Sequence, residues 1–291
     1  MKIRISKKWA VLTLILCLLL PLRAFADAAV GDMTVTLGEN LTEEQKQMIL
    51  SEMKAPQGTD ILTVTNKEEH DYLGDYIPSR LIGTKAISSS AITLEKAGTG
   101  LKVQSKNINW VTEEMYINAL ATAGVKDASV YVTAPIPVSG TAALTGVIKA
   151  YELSSNKTIP EDVKKAANEE MVKTAQLGDK IGSDKASALM TKIKEEMAKN
   201  PPKTEDDIKS IIKKAADDLG IKLTDEQLQS LTDLFNKLKD LNINWNSVGD
   251  QLTKAKEKLT TFLKSDEGQS FLDKLKDFFS SLIDAIKSLF S

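Results

Sequence analysis

Cysteine, histidine, arginine and aromatic residues are all scarce in this 291-residue chain. One cysteine, Cys17, excludes a disulfide framework and any paired-cysteine zinc or redox motif. One histidine, His70, excludes an H-x-x-x-H metal pair and leaves a single imidazole for a serine triad. No G-x-S-x-G nucleophile turn occurs either. With Gly 15 and Pro 8, the chain is neither collagen-like nor a low-complexity polymer. Its longest apolar run falls short of the roughly 20 residues of a spanning helix, which excludes a multi-span membrane protein. A net charge of −2 argues against a nucleic-acid partner held by general basicity.

What is present begins with a leader. Lys2, Arg4, Lys7 and Lys8 form a positive segment, residues 10–20 (AVLTLILCLLL) a short apolar one, and Ala24-Phe25-Ala26 a small-x-small cleavage pattern. Residues 1–26 are therefore expected to be a signal peptide, with a mature N-terminus at Asp27 and an extracellular or envelope-associated product. Leu16 precedes Cys17 where a lipobox needs a small residue, so a lipid anchor is not expected. Cleavage would remove five cations and the cysteine, leaving 33 Lys+Arg against 40 Asp+Glu, a net charge of −7.

The pattern predicts an α+β protein with a break at residues 154–160 (SSNKTIP). Residues 27–153 read as a mixed α/β domain with 10 cations and 16 acids, and residues 154–291 as a helical bundle with 23 and 24. In the front part, 33–37 alternates as a strand, Thr42-Glu43-Glu44 opens a helix, 61–65 is a second strand, and Asn66 caps a short helix. Residues 86–95 and 101–108 read as a hairpin around Ala97-Gly98-Thr99-Gly100. Thr112-Glu113-Glu114 opens another helix, followed by a strand over 128–133 and a helix from Ser139. Segments 33–73 and 106–151 thus share one order of elements. Duplicated βαβα units account for that, and so does repeated use of the same capping residues.

Behind the break, helix starts are expected at Pro160, Ser183, Thr204, Thr224, Asn246 or Ser247, and Ser265. In the last of these, Phe271, Leu272, Leu275, Phe278, Phe279, Leu282, Ile283, Ile286, Leu289 and Phe290 recur at helical spacing. This face is expected to pack on the helical bundle. Docking to a membrane surface or a partner through Phe271, Phe278, Phe279, Ile286 and Phe290 is the alternative, although the helix lacks the excess of cations that anionic lipid favours.

Four strings carry a family resemblance: DAAVGDMTVTLG, TNKEEHDYLGDYI, IGTKAISSS and VKDASVYVTAPIPVSGTAALTGVIKAYE. They resemble the YpuA-like family of secreted Gram-positive proteins, a domain of unknown function, over essentially the whole mature chain. The resemblance implies an extracytoplasmic role at the cell envelope. It supplies no catalytic residue.

Candidate sites are few. Glu68-Glu69-His70-Asp71 offers metal-ligand chemistry, but consecutive helical residues point apart, so the run reads as a helix start with Asn66 as cap and no metal is expected. No cofactor motif is present. Ser139-Gly140-Thr141, after Pro135 and Pro137, places backbone N–H groups at a helix start; it reads as a structural corner, with anion binding as the alternative. Asn-Ile-Asn-Trp occurs at 107–110 and 242–245, where the asparagines suit turns and caps. The expectation is a non-catalytic binding or scaffold protein with an unidentified envelope partner. An envelope (peptidoglycan or glycan) hydrolase using paired carboxylates is the alternative, since such an enzyme needs no sequence signature.

Overall fold

The computed structural model describes residues 30–252. The expected signal peptide (1–26) and the C-terminal amphipathic helix with Phe271, Phe278, Phe279, Ile286 and Phe290 lie outside the described residues.

Five strands form one sheet: β1 (Met33–Gly38), β2 (Asp60–Val64), β3 (Ser89–Leu94), β4 (Leu101–Ile108) and β5 (Ala128–Val138), in the order β2-β1-β3-β5-β4. Helix α1 (Glu43–Glu52) joins the parallel pair β1–β2, and α4 (Glu113–Thr122) joins the parallel pair β4–β5. A parallel pair needs such a crossover. β3 runs antiparallel to both β1 and β5 and ties the two halves together. Both segments share one order: strand, helix, strand, helix, the second helices being α2 (Asn66–Leu73) and α5 (Thr141–Ser155).

The expected hairpin does not form, because β5 lies between β3 and β4. Burial explains the choice. β5 hides Ala128, Val130, Val132 and Ala134, whereas β4 exposes Lys102 and Gln104, as suits an edge strand. The Gly-rich turn is instead pinned to the start of β5. The Asp127 carboxylate accepts the N–H groups of Gly98 at 3.1 Å and Gly100 at 2.8 Å, both glycines with positive φ.

Helix α1 covers one face of the sheet over Val35, Leu37 and Ala91, while α4 and α5 cover the other. Under α5 the sheet is polar: Thr34 and Ser154 hydroxyls meet at 2.6 Å, as do those of Thr36 and Ser90. Gly146 lets the helix come this close, since a Cβ there would lie 2.5 Å from Thr36 Oγ1.

After the short α3 (Ser79–Ile82) and the sheet, the helical part comprises α6 (Glu161–Ile181), α7 (Ser183–Lys199), α8 (Glu205–Asp218), α9 (Asp225–Asp240) and α10 (Trp245–Leu252). Thr42, Thr204 and Thr224 close capping boxes, each hydroxyl accepting an N–H three residues on. Residues 156–160 lie between α5 and α6, and one hydrophobic core spans both sides, running from Ile92 and Val130 through Val147 to Met171 and Leu252. A second core, around Leu189, Ile193, Ile212, Leu234 and Phe235, holds α7, α8 and α9 together. Among the described residues, no helix is long and apolar enough to cross a membrane.

Candidate functional site

Three helices, α2, α5 and α6, meet around a cleft of about 160 Å³ lined by Glu68, Tyr72, Thr145, Ile148, Lys149, Glu152, Lys164 and Asn168. Helical periodicity gathers these side chains. Thr145, Ile148, Lys149 and Glu152 stand at offsets of 0, 3, 4 and 7 along α5. Lys164 and Asn168 are one turn apart on α6, as are Glu68 and Tyr72 on α2.

Helix α2 is set by its cap. Thr65, not Asn66, is the N-cap: its hydroxyl accepts the Glu68 N–H at 3.1 Å, and the Glu68 carboxylate accepts the Thr65 N–H at 2.8 Å. The expected cap therefore moves back by one residue, to Thr65, with Glu68 as the reciprocal acid. The β-branched Thr65 closes the box in extended conformation, which frees the Asn66 amide for Glu69 at 3.3 Å.

The rim of the cleft is charged and internally paired. Lys149 donates to the Thr63 carbonyl at 2.8 Å and to Glu68 at 2.6 Å. Lys164 pairs with Glu152 at 3.1 Å and with Glu161 at 3.6 Å. Glu152 also accepts the Ile159 N–H at 2.7 Å, which anchors the loop between α5 and α6. Burial pushes the Glu68 carboxyl up, but the hydrogen bonds from Lys149 and Thr65 outweigh it and hold the group below the usual range. Burial, with the neighbouring Glu161 carboxylate, pushes the Tyr72 hydroxyl far up, so Tyr72 is a hydrogen-bond donor, given to Glu161 at 3.2 Å.

The floor is different. Thr145 is 5% exposed and Asn168 is fully buried, yet Thr145 Oγ1 and Asn168 Oδ1 have no hydrogen-bond partner in the protein. The Asn168 amide nitrogen donates to the Lys164 carbonyl at 2.9 Å, which fixes the amide so that its oxygen is the open group. Buried polar atoms are normally satisfied, so two orphans on residues that line one cleft, Thr145 on α5 and Asn168 on α6, mark a place where a further molecule would be stabilised.

The sites expected from sequence lie elsewhere. Gly140 takes a left-handed φ of 88° and caps α5, and a Cβ there would lie 2.5 Å from Ile108 Cγ2. The Tyr116 hydroxyl donates to the Gly140 carbonyl, Ser139 and Thr141 hydroxyls meet at 3.3 Å, and Thr141 is buried. Ser139 is half-buried at this corner. His70 donates through Nε2 to the Gly83 carbonyl at 3.0 Å, and Lys67 pairs with Asp71. Among the described residues, no three of His, Cys, Asp or Glu are grouped to hold a metal ion. In the repeated Asn-Ile-Asn-Trp string, Asn107 adopts positive φ and donates to the Ala134 carbonyl, while Asn244 caps α10 by accepting the Ser247 N–H. Trp110 and Trp245 are half-buried against the cores.

A cleft at a helix junction on an α+β scaffold, charged at its rim and unsatisfied at its floor, defines the class. Over residues 37–255 the chain matches the model of a protein family of unknown function, DUF1002, and it belongs to that family. It is also 57% identical to the uncharacterized protein YpuA of Bacillus subtilis (strain 168), over 95% of this chain and 96% of that one. No solved structure matches it.

Proposed function

We propose that the protein is exported and acts at the cell envelope as a non-catalytic binding or scaffold protein, with the cleft between α2, α5 and α6 as its binding site. One observation carries the binding reading: Thr145 Oγ1 and Asn168 Oδ1 stand buried and unpartnered on residues that line one cleft. The leader pattern at residues 1–26 supports export. The hydrolase alternative has less behind it. A carboxylate pair needs one protonated member, and in the cleft Glu68 is held ionised by Lys149 and Thr65.

The test is cosedimentation of the mature chain with purified cell-wall sacculi and, separately, with liposomes. Retention on sacculi that falls in Thr145→Leu, a substitution that fills the cleft, supports the reading. Retention on neither, or equal retention of the variant, overturns it. The helical spacing of the phenylalanines in the sequence over 271–290 favours a second reading, attachment through that segment. That reading predicts retention on liposomes, lost when residues 265–291 are deleted.

A further inference from the structure

We infer that the cleft takes the hydroxyl groups of one neutral sugar residue; this rests on the reading of the cleft as a binding site. Charge comes first. Every charged group facing the cleft already has an opposite partner: Lys149 with Glu68, Lys164 with Glu152 and Glu161. A free anion would compete with a carboxylate for its lysine, and a free cation with a lysine for its carboxylate. A neutral ligand breaks no pair.

The spare hydrogen-bonding capacity is mixed in kind. Lys149 spends two of its three donors on Thr63 and Glu68, leaving one. Glu152 spends one lone pair per oxygen, on Ile159 and on Lys164, leaving two acceptor sites. Asn168 Oδ1 only accepts, and Thr145 Oγ1 does both. Donors and acceptors interleaved at short range suit hydroxyls, each of which gives one hydrogen bond and takes others. A ligand offering only acceptors, such as sulfate, leaves Asn168 unsatisfied.

Shape agrees. Ile148 and the Tyr72 ring add apolar surface among the polar groups, as the C–H face of a sugar ring requires. At about 160 Å³ the cleft has room for roughly five waters at the ~30 Å³ each takes in the liquid, a space on the scale of one sugar ring rather than a chain.

The experiment titrates the mature chain with N-acetylglucosamine, glucose, alanine and inorganic phosphate, followed by ligand-observed NMR and calorimetry. Thr145→Val and Asn168→Leu are run beside it, with melting curves to confirm that both fold. Saturable binding of a sugar is expected, weakened roughly three- to tenfold in each variant, the loss of one hydrogen bond. Alanine or phosphate binding that depends on Thr145, without sugar binding, overturns the ligand class and leaves the cleft as a binding site. Thr145-dependent retention on sacculi without binding of either free sugar likewise overturns the single-residue ligand alone. No binding of any probe, with retention on sacculi indifferent to Thr145, overturns both.

Discussion

Lys194 and Glu170 form the most deeply buried ion pair among the described residues, with both side chains fully out of solvent between α7 and α6. Lys194 donates to Glu170 and, at 2.9 Å, to the Asn118 carbonyl; the other Glu170 oxygen accepts the Thr122 hydroxyl at 2.6 Å. Burial pulls the Lys194 ammonium below its ordinary range, against the opposing pull of Glu170. Lys194→Met keeps most of the stem and removes the charge, leaving the buried Glu170 carboxyl with Thr122 alone. Breaking a buried pair in this way costs about 3–5 kcal/mol, a large part of the roughly 5–15 kcal/mol that holds a typical domain together. In Lys194→Met/Glu170→Leu neither charge remains. The residual loss is one partner each for Thr122 and Asn118, about 1 kcal/mol apiece, offset by roughly 1–4 kcal/mol for replacing a buried pair with apolar groups. The double variant should therefore lie within about 2 kcal/mol of the parent, well above the single one. Urea unfolding at pH 7, followed by circular dichroism, reads all three. A single substitution costing under about 1 kcal/mol, or a double variant worse than the single, would refute the reasoning.

Gly146→Ala ordinarily strengthens a helix by about 1 kcal/mol. Here the new Cβ would lie 2.5 Å from Thr36 Oγ1, 3.1 Å from Ser90 Oγ and 3.2 Å from Val64 Cγ2, so a net loss of about 1–3 kcal/mol and a lower melting temperature are expected; a rise would contradict the close packing of α5. Glu69 is buried, and that burial lifts its carboxyl from about 4.5 to about 8 despite the Asn66 hydrogen bond. The folded chain thus holds this proton more tightly than the unfolded one, so the contribution is fully present below pH 4.5 and is lost as pH rises through 8. Glu69→Gln should flatten that decline, and identical pH profiles of stability would count against it. N-terminal sequencing of the protein from culture fluid or wall fraction should read from Asp27; a start at Met1 would overturn export by leader cleavage.

Much of the fold is legible in the sequence because short-range chemistry decides it. Thr42, Thr204 and Thr224 announce their helices through capping, and alternation announces β1 and β5. Pairing is less local. β3 and β4 are joined by a Gly-rich turn that looks like a hairpin, but the side chain of Asp127, far along the chain, and the greater burial of β5 place a third strand between them. Thr65 has Glu68 three residues on and Asn66 has Glu69, so spacing does not choose between the two caps, and the structure takes Thr65. The cleft is harder still, since its residues come from 68–72, 145–152 and 164–168. One sign was available: Thr145, Lys149 and Glu152 fall on a single face of α5. A polar stripe usually means a solvated surface, and here it is turned toward α2 and α6.

The central claim, that the α2–α5–α6 cleft is the binding site, is tested most directly by chemical-shift mapping with solubilised cell-wall fragments. The largest changes are expected at the methyl groups of Thr145 and Ile148 and at the side-chain amide of Asn168, with the corner at Ser139–Thr141 undisturbed. Changes confined to that corner or to residues 265–291, or no changes at all, would contradict it.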